Sequence, residues 1–363
     1  MVTQAIGEGK QRRGLSVIID SDFGKRRKDI MDKRIPIWRE GNIPGNTGES
    51  KLTVMKPDLT MTPEQIFGSK GSIFDKSTLD IPSMVSDDSL VWQNEIVNGY
   101  AQETFSDVPF LIPYLVEGSD RCVICCPGGA YLFKSMEGEG SDIAEFLNAQ
   151  GISVFVLWYR TYPNYSPLMF LDLQRAVRYI RYHAGEYGID PGKIAAVGFS
   201  AGGNLVGVHA VRFGNKEVEY PGYVPDEIDR QDGRLNAAGL IYPAVDLTND
   251  KALAALGGFE AYQDKEKRKA LADSLDILHH LDKDCPPLFL CAAQDDEMVN
   301  PLPLAELNVT AMKLGISTEF HMFPSGGHGF GGCVLREGPF GKPDYSVVGQ
   351  WKGLFANWIL RTL

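Results

Sequence analysis

The sequence predicts an α/β fold: a mostly parallel central sheet with helices on both faces, preceded by an N-terminal extension and interrupted by cap-like insertions. Two observations predict it. From about residue 91, apolar runs of strand length alternate with segments of helical period, the order of a parallel sheet covered on both sides. Several of the runs, such as 152–158 and 193–198, are almost continuously apolar, as strands buried on both faces must be.

The elements follow in order. Residues 108–116 and 121–126 read as strands, and the glycine-rich turn Pro127-Gly128-Gly129-Ala130-Tyr131 comes next. A helix fits 141–150, with Ile143, Phe146 and Leu147 on one face and Gly151 as its C-cap. After the strand at 152–158, residues 172–187 place Ala176, Val177, Ile180 and Ala184 at helical spacing. A strand at 193–198 leads into a helix at 201–213. Strands at 237–242 and 287–292, a helix at 303–314 ended by Gly315, a strand at 318–323 and an amphipathic helix at 346–360 complete the pattern. Two long charged stretches, about 213–234 and 249–284, read as insertions near the C-terminal edge of the sheet, where ligands bind in such folds. The main α/β domain is thus expected over 89–363.

Residues 1–88 are different. They are polar, carry the basic cluster Lys25-Arg26-Arg27-Lys28 and a turn-rich stretch over 41–48, and show one helix start, where Thr62 can cap, Pro63 suits the first helical position and Gln65 follows at the capping-box spacing. This extension is expected to be a cap or an oligomerisation arm, and its basic cluster a solvated helix face.

With 47 acidic and 36 basic residues the net charge is −11, which argues against nucleic acid or an anionic membrane as the main partner. Six cysteines are too few for a disulfide scaffold at 363 residues. The Cys122-x-x-Cys125-Cys126 spacing lies inside an apolar run, so it reads as a buried strand; without a second ligand pair no metal site is expected. The first residues lack an apolar leader core, and no apolar run approaches the roughly 18 residues of a spanning helix, so a cytoplasmic protein is expected.

One constellation carries chemistry. Gly198-Phe199-Ser200-Ala201-Gly202-Gly203 matches the G-x-S-x-G elbow between a strand and a helix. The turn must lift the serine hydroxyl above the sheet, and a side chain at either flanking glycine would strike backbone. A serine needs a base. His328, in the glycine-rich loop Pro324 to Phe330 after the strand at 318–323, is the best placed of the six histidines. The base needs a carboxylate, and Asp295, Asp296 and Glu297 follow the strand at 287–292; position alone leaves Asp296 and its neighbour Asp295 open. Gly129, Ala130 and the amide of Ala201 are the candidate oxyanion donors, because glycine-rich backbone can approach substrate closely. Tyr131 and Phe199 flank this chemistry and are expected to line the substrate pocket.

Residues from about 90 to 363 resemble an α/β-hydrolase of the hormone-sensitive-lipase-like esterases, and most closely bacterial acetylxylan-esterase and feruloyl-esterase-like proteins. The resemblance rests on Cys126 to Tyr131, Phe155 to Arg160, Asp172 to Val177, Gly198 to Gly203 and Phe323 to Phe330. It implies serine-dependent hydrolysis of carboxylic esters without a cofactor, with short-chain, acetyl or feruloyl esters of carbohydrates as substrates. In such relatives the acid precedes an E-V-V-P-like stretch; Glu297-Met298-Val299-Asn300 takes that place here, which puts the acid at Asp296. Ala130 stands where relatives usually have a third glycine, and Pro127 where lipase-like members have histidine.

Two other readings stay open at this level. A prolyl-oligopeptidase-like peptidase would need a propeller of repeated blades, which residues 1–88 do not supply. A non-catalytic ligand-binding protein on a hydrolase scaffold is the second, since fold does not fix function. The expected partner is a small-molecule or oligosaccharide ester, and homo-oligomerisation is left open.

Overall fold

The computed structural model describes residues 34–46, 96–97, 100–101, 108–248, 251–333 and 345–363. The basic cluster at 25–28 and the helix start at Thr62 lie outside the described residues.

Eight strands form one sheet: β1 Ile35–Pro36, β2 Phe110–Tyr114, β3 Cys122–Cys126, β4 Ser153–Trp158, β5 Ile194–Phe199, β6 Ala237–Ile241, β7 Leu288–Ala293 and β8 Thr318–Phe323. Their spatial order is β1-β2-β4-β3-β5-β6-β7-β8. The first two pairings, β1 with β2 and β2 with β4, are antiparallel, and every later one is parallel. This is the α/β-hydrolase fold that the sequence predicts. The central strands β3, β4, β5, β6 and β7 are buried at every position, which is why they read as unbroken apolar runs. The three cysteines of β3 are fully buried and unbridged, acting as small hydrophobes.

Alternate residues of each strand face opposite layers. One face packs Val123, Val154, Val197 and Phe289 against α1 (Asp142–Asn148) and, through Trp351, Phe355 and Ile359, α9 (Trp351–Thr362). The other packs Ile124, Phe155, Ala196 and Leu290 against α2 (Leu168–Tyr182), α3 (Ala201–Val208) and α8 (Leu302–Lys313). Between β6 and β7 lie α4 (Ala252–Gly257), α5 (Phe259–Gln263), α6 (Lys265–Ser274) and α7 (Ile277–His280), the second insertion. It meets the loop before α2, where Ser166 donates its N–H to the Leu256 carbonyl at 2.8 Å.

Two placements differ from expectation. Residues 34–46, assigned by sequence to the extension, are built into this domain: β1 extends the sheet, and Ile37 and Trp38 are buried in its core. The insertion at 213–234 is not a rim over the sheet edge but a cover along α2. Arg175 of α2 makes a two-point pair with Asp226, both contacts at 2.7 Å, and Arg178 donates to the Lys216 carbonyl at 2.7 Å. With both segments laid on it, twelve of the fifteen residues of α2 are buried. Its start at Leu168, four residues before the expected one, follows from the same burial: Leu168 to Leu171 are apolar all round and carry no helical period.

Candidate active site

The elbow between β5 and α3 is built as its glycines require. Ser200 holds φ 52° and ψ −117°, a strained conformation for a residue with a side chain. A Cβ on Gly198 would lie 2.0 Å from the Gly202 carbonyl oxygen, and one on Gly202 would lie 2.1 Å from that of Cys126. Both positions therefore exclude any other residue. The Ser200 N–H donates to the Ile241 carbonyl of β6 at 3.0 Å, which ties the turn to the sheet.

His328 reaches Ser200 from the loop after β8. Its Nε2 is 2.8 Å from Ser200 Oγ, and its Nδ1 is 2.7 Å from Asp296 Oδ2. A carboxylate only accepts, so Nδ1 carries the proton and Nε2 is left to accept from the serine hydroxyl. The other oxygen of Asp296 accepts the N–H groups of Met298 and Val299, each at 2.9 Å, which fixes the carboxylate in a buried position. Asp295 faces elsewhere: its Oδ1 accepts the N–H of Gly327 at 2.8 Å and so holds the histidine loop without touching the imidazole. Of the two acids left open by the sequence, only Asp296 meets His328.

The turn after β3 lies directly against the elbow, since a Cβ on Gly128 would be 2.6 Å from the Phe199 carbonyl oxygen and 2.9 Å from Ser200 Cβ. Gly129, Ala130 and Tyr131 have φ of 137°, 53° and 62° in succession. The left-handed conformation of Ala130 costs roughly 1–2 kcal/mol, and the turn is closed by the N–H groups of Leu132 and Phe133 on the Gly129 carbonyl. The amides of Gly129, Ala130 and Ala201 donate to no other protein group among the described residues. They stand beside a serine at a helix N-terminus, where developing negative charge is favoured.

Tyr131 and Phe199 do not line an open pocket, which corrects the expectation for both. Tyr131 is fully buried and donates its hydroxyl proton to Asn204 Oδ1 of α3 at 2.7 Å. The alternation of β5 turns Phe199 to the other face of the sheet, against Tyr242 and Trp351. A residue adjacent to a functional one in a strand points away from it.

Two residues were missed. Glu139 is buried just after the turn that follows β3, accepting from Gly128 N–H at 2.7 Å and from the Tyr242 hydroxyl at 2.8 Å. Tyr242, at the end of β6 with φ 38°, sets its ring edge-on to His328 with centroids 4.9 Å apart. Neither has a periodic or motif signal; an acid between glycines, as in Gly138-Glu139-Gly140, looks like a solvated turn. Among the described residues no group of three or more His, Cys, Asp or Glu is placed to hold a metal ion, and no helix is long and apolar enough to cross a membrane.

Comparison with known proteins agrees with this architecture. The chain is 28 % identical to an acetylxylan esterase of Xylanibacter ruminicola over 59 % of its own length and 42 % of that protein. It is 32 % identical to endo-1,4-beta-xylanase B of Butyrivibrio fibrisolvens over 66 % of its length and 37 % of that protein. The chain thus spans less than half of either relative. Among solved structures, an acetyl ester-xyloside bifunctional hydrolase from Caldicellulosiruptor lactoaceticus superposes with a TM-score of 0.62 at 24 % identity, covering 90 % of this chain and 95 % of that one, a likeness in fold. The sequence profile of the BD-FAE family matches residues 110–308, a span that contains the glycine-rich turn after β3, Ser200 and Asp296. The chain, an α/β-hydrolase by fold, belongs to the BD-FAE family.

Proposed function

We propose that the protein is a serine carboxylic-ester hydrolase that acts on short acyl or feruloyl esters of carbohydrates. The observation that carries this reading is the continuous hydrogen-bonded line from Ser200 Oγ through His328 to Asp296, at 2.8 and 2.7 Å, on a strained elbow beside amides that donate to no protein group among the described residues. The carbohydrate part draws on the acetylxylan esterase and xylanase names of its relatives.

In this scheme Ser200 Oγ attacks the ester carbonyl while His328 Nε2 takes its proton. Asp296 steadies the imidazolium that forms. Gly129, Ala130 and Ala201 donate to the oxyanion, and each such donor typically lowers the barrier by about 2.7–4 kcal/mol. His328 then protonates the departing alcohol. A water molecule, deprotonated by the same imidazole, cleaves the acyl-serine and restores the enzyme. No step calls on a metal or organic cofactor.

Turnover of p-nitrophenyl acetate tests the reaction class. The wild type should hydrolyse it, and Ser200→Ala should fall to background; a folded wild type no faster than that variant rejects the reading. Acetyl, butyryl, feruloyl and acetylated xylo-oligosaccharide esters, offered to one enzyme batch, rank the substrates.

A further inference from the structure

The buried carboxylate of Glu139 has contacts that the scheme above leaves unused. Its two oxygens are divided between the two loops that flank Ser200. Oε2 accepts the N–H of Gly128, the residue before the proposed oxyanion donors. Oε1 accepts the hydroxyl proton of Tyr242, whose oxygen in turn accepts the N–H of Gly331 at 2.9 Å, three residues beyond His328. The same short segment grips the histidine loop again where Gly332 donates its N–H to the Gly138 carbonyl at 2.7 Å. Fit is close throughout. A Cβ on Gly331 would lie 2.8 Å from the Gly138 oxygen and 3.0 Å from Glu139 Cγ. Tyr242 packs its ring against both His328 and Phe330, with centroids 4.9 and 4.5 Å away.

A carboxylate in this place is costly for the fold alone. Among the described residues no lysine or arginine forms an ion pair with Glu139. Burial pushes its carboxyl above the usual range, while the hydrogen bonds from Tyr242 and Gly128 and, whenever it is protonated, the His328 ring draw it down. Packing alone would favour an apolar side chain of the same volume at such a site. What the carboxylate supplies, and an apolar group would not, is two acceptors at a fixed separation, one for each loop.

We propose that Glu139 is a positioning residue: one buried carboxylate sets the oxyanion turn through Gly128 and the His328 loop through Tyr242 and Gly331, and so registers the two halves of the site against each other. The inference rests on the ester-hydrolase reading for its kinetic consequence. It does not assign Glu139 contact with substrate.

The test compares wild type with Glu139→Gln, Glu139→Asp, Tyr242→Phe and the Gln/Phe double variant. Active sites are titrated with a fluorophosphonate, so that misfolded protein does not count. Glutamine keeps an acceptor for Gly128 but turns an N–H toward the Tyr242 hydroxyl; phenylalanine removes both bonds of that hydroxyl. For each single variant kcat per titrated site should fall roughly tenfold to hundredfold, the scale of a lost charge-assisted hydrogen bond. KM should stay within about twofold, and affinity for a boronic acid that mimics the tetrahedral intermediate should fall in step with kcat. Because both residues serve one network, the double variant should be little worse than the poorer single one. Full kcat per site in Glu139→Gln, or losses that multiply in the double variant, overturns the proposal.

A readout free of turnover separates this from the parent reading. The downfield proton resonance of His328 Nδ1 should shift or broaden in both single variants. An unchanged resonance in both rejects the positioning role even if esters are hydrolysed. A wild type without ester turnover rejects the hydrolase reading, and the resonance then still decides whether Glu139 holds His328. Should Glu139→Gln fail to fold, Tyr242→Phe and Glu139→Asp carry the same comparison.

Discussion

Among the described residues, the carboxylates packed along α2 and those beside Ser200 are satisfied in opposite ways. Along α2, the buried Asp172 is held by Arg160 at 2.7 Å and by the Trp38 indole N–H at 2.9 Å, and the half-buried Asp226 beside it is held by Arg175. Beside Ser200, Asp296 and Glu139 are held by backbone N–H groups, a tyrosine and a histidine. A guanidinium never gives up its proton in this range, so the α2 flank has one charge state and serves as fixed structure. An imidazole can gain and lose its proton, so in the proposed cycle the carboxylate next to it meets two charge states. The chemistry of a buried acid is thus decided by its partner, not by its depth.

Substitutions sharpen that contrast, beginning with the site. Asp296→Asn should lower kcat/KM by roughly a thousandfold or more, because the imidazolium loses its counter-charge and the tautomer is no longer fixed. Asp295→Asn, which keeps an amide oxygen for the Gly327 N–H and loses only the charge, should cost less than about tenfold. Equal losses in ester hydrolysis for the two would erase the distinction drawn between neighbouring acids.

On the flank the effect should move from rate to stability. Arg175→Met removes the pair with Asp226, the nearer of the two guanidinium groups beside Asp229 and the donor to the Ile37 carbonyl, and should destabilise the protein by about 3 kcal/mol in urea unfolding. Activity per titrated site should hardly change. A large drop in kcat with unchanged stability would show that the flank is not passive.

His209 gives a pH test of the same idea. It is buried against the flank insertion, with Nε2 2.8 Å from the Gly233 carbonyl oxygen, and burial lowers its pKa from 6.5 to about 4. The unfolded chain therefore takes up a proton that the folded one refuses. This contribution is complete above about pH 6.5 and is lost as pH falls toward 4, by about 1.4 kcal/mol per pH unit. Unfolding free energies measured between pH 7 and 4.5 should lose that part of their slope in His209→Gln; an identical slope would refute it. The smallest effect belongs to the exposed pair of Lys269 and Asp273 on α6. Lys269→Ala should leave the unfolding midpoint equivalent to within about 0.5 kcal/mol.

What could be read from the sequence follows the same physical division. The elbow was legible because only glycine survives the approach of Gly198 to Gly202, and the sheet because doubly covered strands leave continuous apolar runs. His328 stood out through its glycine neighbours; the place after β7 narrowed the acid to a run of three, and only the family resemblance picked Asp296 from it. Glu139 and Tyr242 were silent, since a side chain satisfied by distant backbone leaves no local spacing to detect. The position of 213–234 was silent for a related reason. Its arginine partners lie on α2, some fifty residues earlier in the chain, and an ion pair across that separation has no signature in composition. Residues 34–46 were passed over because a two-residue strand and a turn carry too few positions for any period to emerge.

The placement of Trp38 and Pro44 has a practical side. Arg160 donates to the Pro44 carbonyl, Asp172 accepts from Trp38, and Arg175 donates to the Ile37 carbonyl at 2.7 Å. A shortened gene that begins at the apparent domain start near residue 88 would discard all three acceptors and donors while keeping the arginines and the aspartate they serve. Expression clones and deletion series meant to isolate the hydrolase should therefore open upstream of residue 34, and trimming should be judged by solubility before it is judged by rate.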